Sequence, residues 1–343
     1  MSRFREEIGE QPLLASRMLA DSRGAVTAIA TRLRESKPRG FVIAARGSSD
    51  HAALYAKYLF GARNHMMVAL AAPSLFTSYG RAPSLDGQCV IGISQSGAAP
   101  DVIAVIEEAA RQGAVTVAVT NETDSQLAKA AELVLPLGAG PEQSVPASKT
   151  YVASLLALAL VSQAIDPDSS FEAALGQVPP ALAAALEQET ELDRLVPALM
   201  GPRAIVLGRG FNFSTAEEIA LKLTETSYVL ARAWSVADFE HGPIAVVEPG
   251  FPVVLVDGRG LVSADLESIG RRLGEQSCRV VRLLDGAGEH SDQDTVSLDS
   301  GLPEELTPLT LAVLGQLLAH RLALARGIDP DRPRALNKVT RTW

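Results

Sequence analysis

The sequence predicts an α/β protein built on parallel sheets, with the same plan laid down twice. Three observations carry this. Short apolar runs alternate with longer helical patterns along most of the chain. The loops that follow those runs are rich in Gly and Ser rather than in hairpin signals. The plan of residues 42–60 (VIAARGSSDHAALYAKYLF), a strand, an Arg-Gly loop and a helix, returns at residues 204–223 (AIVLGRGFNFSTAEEIALKL). Alternating strands and crossover helices imply right-handed βαβ units and a sheet covered on both faces. With 343 residues the chain has the length for two such domains.

Residues 1–36 read as helices: the stretch MSRFREEIGEQP, then a periodic segment over 13–33 that closes near Pro38. Residues 41–45 (FVIAA) form the first strand, followed by Arg46-Gly47-Ser48-Ser49-Asp50-His51 and a helix over 52–60. Further strands fall at 66–71, 89–93, 114–120 and 133–137, with helices at 99–112 and 152–164. Residues 166–198 carry Pro167, Pro179, Pro180 and Pro197 around a helix over 181–195, and read as a connector. The pattern then restarts with a strand at 203–207, a helix at 214–229 capped by Ser214, and strands at 251–256 and 279–284. A long apolar helix over 303–326 precedes a charged, proline-broken tail. The organisation expected is a helical segment (1–36), a first domain (37–166), a connector (167–198), a second domain (199–328) and the tail (329–343).

Composition narrows the function. A hydrophobic content of 47% with 27 glycines fits a soluble α/β protein, and a net charge of −9 disfavours a non-specific nucleic-acid binder. Cys89 and Cys278 sit in apolar runs and read as buried free thiols of a reducing compartment. The first residues lack an apolar leader core, and residues 155–161 are too few to span a bilayer, so no membrane partner and a cytoplasmic location are expected. His51, His65, His290 and His320 lack metal-ligand spacing, and Gly208-Arg209-Gly210 lacks the third glycine of a dinucleotide loop. No metal and no cofactor are expected.

Four features point to chemistry. Residues 89–101 (CVIGISQSGAAPD) run from a strand through a hydroxyl-rich loop to a helix start, with Pro100 suited to the first helical position and Asp101 to the positive end of the dipole. The loop reads either as an anion cradle or as an ordinary serine-rich connection. Glu218, Lys222 and Glu225, beside Glu217, share one helical face, either as a solvated salt-bridge stripe or as a reactive set. His241, next to Gly242-Pro243, belongs to a turn rather than an apolar face. Lys338 in the tail is by itself a surface lysine.

Taken in order, EIGEQP (7–12), RGSS (46–49), SQSG (94–97), LGRG (207–210), EIALKLTETSY (218–228), EHGP (240–243) and DRPRALNK (331–338) resemble the double-SIS-domain phosphosugar proteins. The likeness is greatest to the isomerase half of glucosamine-6-phosphate synthase and to SIS-type glucosamine-6-phosphate deaminases. The resemblance implies two tandem SIS domains, each a three-layer αβα sandwich around a mostly parallel five-stranded sheet. It implies that Ser49, Ser94, Gln95 and Ser96 hold a sugar phosphate, that Ser48 contacts the sugar, and that Val145 to Ala147 line the pocket. Glu225 takes the position of the base that moves a proton between C1 and C2. His241 takes that of the ring-opening residue, given by the other subunit of a homodimer. Lys222 and Lys338 match lysines near the open-chain carbonyl, with Glu218 beside the first. Such chemistry needs a carboxylate at the carbon and a donor at the developing oxyanion.

Two departures bear on activity. Ala98 and Ala99 stand where the family pattern has Glu-Thr, which removes one phosphate-binding hydroxyl. The glutaminase domain of the synthases has no counterpart in these residues. The expectation is therefore a deaminase that converts glucosamine 6-phosphate to fructose 6-phosphate and ammonia. The alternatives are another aldose–ketose phosphate isomerase, a deglycase-like enzyme, or a non-catalytic sugar-phosphate sensor.

Overall fold

The structure, a computed structural model, describes residues 2–287 and 293–338. Helices α1 (Arg3–Gly9), α2 (Gln11–Asp21) and α3 (Arg23–Ser36) lead into β1 (Gly40–Ala44), α4 (Ser48–Asn64) and β2 (Met67–Leu70). Then come β3 (Gln88–Ile93), α5 (Pro100–Arg111), β4 (Val115–Thr120), α6 (Gln126–Ala130), β5 (Leu133–Pro136) and α7 (Lys149–Ile165). After α8 (Ser169–Glu187) the second series begins: β6 (Arg203–Gly208), α9 (Asn212–Ser227), β7 (Leu230–Ser235) and α10 (Val236–Glu240). It ends with β8 (Pro252–Asp257), α11 (Ser263–Glu275), β9 (Arg279–Asp285), β10 (Thr295–Leu298) and α12 (Thr307–Ala325).

The two sheets have five strands each, in the orders β2-β1-β3-β4-β5 and β10-β9-β8-β6-β7. Every strand pair is parallel. Numbered from its own first strand, each sheet reads 2-1-3-4-5. The winding therefore reverses between the first and third strands, and ligands of such sheets sit beyond the carboxyl ends of that strand pair. The chain divides into two compact units. One comprises Leu13–Glu142, Lys149–Gly176 and Asn337–Trp343; the other comprises Met1–Pro12, Gln143–Ser148 and Gln177–Leu336. They are called here the first-sheet unit and the second-sheet unit.

In the first-sheet unit, Ala44, Val90 and Ala118 of the sheet pack on Val102, Val105 and Ile106 of α5 and Leu127 of α6. The opposite face is covered by α4, where Phe41 meets Phe60 with ring centroids 4.8 Å apart. In the second-sheet unit, Ile205, Leu207, Val253 and Leu255 pack on Phe239 of α10 and on Leu266, Ile269 and Leu273 of α11. Helices α9 and α12 pack together closely because Gly315 leaves room for Ile219, whose Cγ1 would lie 2.2 Å from a Cβ at that position. Among the described residues one helical stretch, Glu304–Ala325, is long and apolar enough to cross a membrane. Its apolar window is 83% buried within the protein, as befits a core helix.

Several boundaries differ from the sequence expectation. The helix expected over 13–33 breaks at Ser22. The connector helix spans Ser169–Glu187 instead of 181–195 because the Asp168 carboxylate caps its start, accepting from the Phe171 amide at 2.7 Å. That helix runs through Pro179 and Pro180, which forfeit backbone donors without ending it. Ser214 does not cap α9; it lies inside the first turn and donates to the Phe211 carbonyl at 2.8 Å. Strands β7 and β10 were not expected. β7 (LARAWS) is a partly exposed edge strand without a continuous apolar run, and β10 is four residues long. Cys89 is buried as expected, and burial pushes its thiol up to about 12. Cys278 is only part-buried, in the turn before β9.

His320 on α12 lies against Phe4 of α1 with ring centroids 6.4 Å apart, and neither ring nitrogen is hydrogen-bonded. Burial holds its pKa below the usual 6.5; Arg5 and Arg321 act in the same direction, Glu189 and Asp331 against it. The unfolded chain therefore takes up this proton first, and stability falls as pH drops below about 6.5 toward the folded-state value. Thermal melts between pH 7.5 and 5.5 should show that decline, and His320→Leu should flatten it. An unchanged slope in the variant would assign the decline to other groups.

Candidate functional site

In the first-sheet unit the loops after β1 and β3 stand at the reversal of the strand order. Gly47 precedes α4, so Ser48 and Ser49 occupy its first turn, with the Ser49 amide 3.2 Å from the Arg46 carbonyl. After β3, Ser94 is nearly buried and Gln95 and Ser96 are part-exposed. The loop tightens through a Gly97 amide bond to the Ser94 carbonyl at 3.3 Å. Gly97 has φ 57°, and a Cβ there would lie 2.0 Å from Ser125 Oγ, so no other residue fits. Ala99 is the N-cap of α5 and offers no side-chain cap to its amides. The two loops are tied together: Arg46 Nε donates to Asp101 Oδ2 at 2.6 Å, and Asp101 is 1% exposed. The predicted phosphate residues thus gather on one pair of coupled loops.

In the second-sheet unit, α9 carries Glu218, Lys222 and Glu225 on a face turned inward. Lys222 Nζ lies 2.6 Å from Glu225 Oε2 and 3.4 Å from Glu218 Oε1. Lys222 and Glu218 are each 1% exposed and the Glu225 side chain 21%, which rules out a solvated stripe. Burial disfavours the Lys222 charge, but Glu218 and Glu225 outweigh it and hold the ammonium above its ordinary pKa. Glu225 is the member of the set that solvent or a substrate can reach. His241 follows α10 on an exposed turn, and Ala245 and Val246 beyond it are also exposed. Among the described residues no hydrogen bond or ion pair joins His241 to the α9 set.

Val145 and Ala147 lie on the segment Gln143–Ser148 of the same unit and are part-exposed. The Glu7 carboxylate of α1 holds one end of the segment, accepting from the Gln143 amide and from the Ser144 amide and hydroxyl. Gln11 Nε2 donates to Gln316 Oε1 at 2.6 Å, and Gln316 Nε2 donates to the Ser148 carbonyl at 3.1 Å at the other end. The EIGEQP stretch therefore supports this segment.

Lys338 belongs to the first-sheet unit, where its Nζ donates to Glu142 Oε2 at 2.7 Å. Sequence reasoning missed Glu142, and it missed the Arg46–Asp101 tie. An acid before Gln143-Ser144-Val145 carries no spacing signal, and only the fold brings the tail lysine to it.

The counterpart of the SQSG loop in the second sheet, after β8, is occupied from within. Its Leu261 amide donates to Glu304 Oε2 at 3.0 Å, its Arg259 amide to Asp257 Oδ1 at 3.0 Å, and its Gly260 amide to Ser263 Oγ at 2.9 Å. Burial pushes the Glu304 carboxyl up, and Glu305 and Asp257 add to this. Among the described residues no group of three His, Cys, Asp or Glu side chains could hold a metal ion.

Lys222→Met removes the cation shared by two carboxylates, one of them fully buried. Urea denaturation should show a loss of about 3–5 kcal/mol, the cost of breaking a buried pair, with part of it recovered in the Glu218→Gln/Lys222→Met double variant. A loss below about 1 kcal/mol would mean that the set contributes no more than a surface pair.

Comparison with known proteins places this architecture. The SIS domain family matches residues 33–163 and 201–275. A glutamine–fructose-6-phosphate aminotransferase (isomerizing) of Bradyrhizobium diazoefficiens is 32% identical over 353 aligned residues, which cover 97% of this chain and 58% of that relative. The chain thus spans little more than half the length of that relative. The crystal structure of a proposed phosphosugar isomerase from Silicibacter pomeroyi superposes with a TM-score of 0.87 at 33% identity, covering 96% of this chain and 100% of the other. The C-terminal domain of glucosamine-fructose-6-phosphate aminotransferase from Francisella tularensis has the same fold, with a TM-score of 0.88 at 24% identity over 97% and 98% of the two chains. With more than half of its residues in matching segments, and in both of its sheets, the chain belongs to the SIS domain family.

Proposed function

We propose that the protein is a phosphosugar-converting enzyme that turns glucosamine 6-phosphate and water into fructose 6-phosphate and ammonia. The observation that carries this reading is the buried Glu218–Lys222–Glu225 set, in which one carboxylate stays accessible beside a neutralising ammonium. The coupled loops after β1 and β3 supply the anion cradle: Ser49, Ser94, Gln95 and Ser96 take the phosphate, and Ser48 the sugar. Ala99 contributes no hydroxyl, and the first turn of α5 adds little, since Pro100 lacks an N–H and the Val102 amide donates to Asp101 Oδ1 at 2.9 Å, so the serine hydroxyls and Gln95 carry more of the phosphate charge.

His241 assists ring opening. Glu225 takes the proton from C2 of the open-chain aldehyde and returns it at C1, passing through an enaminol and leaving an iminium at C2. Water adds to that iminium, the C–N bond breaks, and ammonia departs. Lys222 and Lys338 stabilise the charge that develops on the C1 oxygen, and Val145 to Ala147 line the sugar. The exposed turn that presents His241 suits donation to a second copy in a homodimer. The buried free thiol of Cys89 fits a cytoplasmic setting.

Purified protein given glucosamine 6-phosphate should release ammonia and fructose 6-phosphate in equal amounts. Interconversion of an aldose and a ketose phosphate without ammonia would instead make it a plain isomerase. Glu225→Gln should bind the sugar phosphate yet turn over about 10²- to 10⁴-fold more slowly. Undiminished turnover would remove Glu225 as the base, and binding without turnover in the unaltered protein would make it a sensor.

Mixing His241→Ala chains with Glu225→Gln chains should restore part of the activity in hybrid dimers. No recovery in verified hybrids would mean that each site is completed within one chain.

A further inference from the structure

We propose that Glu142 is the positioning residue for Lys338, fixing the tail ammonium that faces the substrate. The proposal rests on the reading of Lys338 as the amine at the open-chain carbonyl. It goes beyond that reading by naming what holds the lysine.

The Glu142 side chain has no solvent exposure. A buried carboxylate needs hydrogen-bond donors to offset its lost hydration. Thr150, in the first turn of α7, provides two: its amide lies 3.0 Å from Oε1 and its hydroxyl 2.8 Å from Oε2. The Lys338 ammonium adds a third at 2.7 Å on Oε2, and the lysine side chain as a whole keeps 24% exposure.

Little else in the tail could orient this group. Arg334, Ala335, Leu336 and Asn337 are all exposed, and Ala335 sits at φ 57°. A four-carbon lysine stem on such a segment samples many rotamers, and reaction needs one of them. A carboxylate clamped to the first turn of a core helix selects that rotamer before substrate arrives.

The test compares the full chain with Glu142→Gln, Thr150→Val, Thr150→Ser and Lys338→Ala. Trypsin cleavage after Lys338, followed by intact mass, should run about five- to tenfold faster in Glu142→Gln, because the released side chain can enter the protease. With glucosamine 6-phosphate, kcat should fall by up to about 100-fold while KM stays within about twofold, the pattern of a misplaced group rather than a lost binding contact. Adding Glu142→Gln to Lys338→Ala should cost nothing further, and Thr150→Ser should recover turnover relative to Thr150→Val. Full turnover in Lys338→Ala would overturn the lysine's assignment and the proposal with it. Loss in Lys338→Ala with unchanged turnover and cleavage in Glu142→Gln would overturn the proposal alone. If no sugar phosphate is turned over, the catalytic reading falls, and equal cleavage rates would overturn the docking role too.

Discussion

The reversal of winding in each parallel sheet is the constraint on which the remaining structure depends. Parallel strands present all their carboxyl ends on one side, and adjacent crossovers cover most of that edge. Only where the winding changes direction do two neighbouring loops part. In the first sheet these loops are Arg46–Ser49 and Ser94–Gly97, and the Arg46–Asp101 pair sets their spacing. The hydroxyl-rich composition of the two loops therefore matters because of where the strand order puts them. The same residues after β4 or β5 would be an unremarkable connection.

Buried charge is the second recurring device. Lys222, Glu142, Glu7 and Asp101 are all withdrawn from water, and none is isolated. Glu7 and Glu142 collect backbone amides and hydroxyls at the ends of the segment 143–148, one in each unit. Lys222 lies between two carboxylates on its own helix. Burying such groups lowers stability relative to an apolar core, so their presence fits a role in fixing geometry.

Much of the fold was legible in the sequence because parallel strands, buried on both faces, read as continuous apolar runs. Eight of the strands stood out for that reason. β7 and β10 did not, because Arg232 interrupts the apolar residues of LARAWS and Thr295 and Ser297 those of TVSL. Helix ends were harder: Pro100 opens α5 as expected, but Asp168 rather than the connector prolines starts α8, and Ser214 lies inside α9 instead of capping it. The three-residue set on α9 followed from helical spacing, yet that spacing does not say whether the face is wet or dry, and the structure buries it. The partners of Lys338 and Asp101 were invisible, since ion pairs 196 and 55 positions apart leave no local pattern.

Glu304 gives the doubled fold an unequal outcome. Its carboxylate takes the Leu261 amide from within the chain, and a tethered group acts at an effective concentration on the order of millimolar or above. An anion in solution would have to displace it against that local excess, with Asp257 repelling the newcomer. The doubled fold thus carries two loops at equivalent positions beyond its sheets, one of them closed by the chain's own carboxylate. What the second sheet presents instead is the buried Glu218–Lys222–Glu225 set of α9.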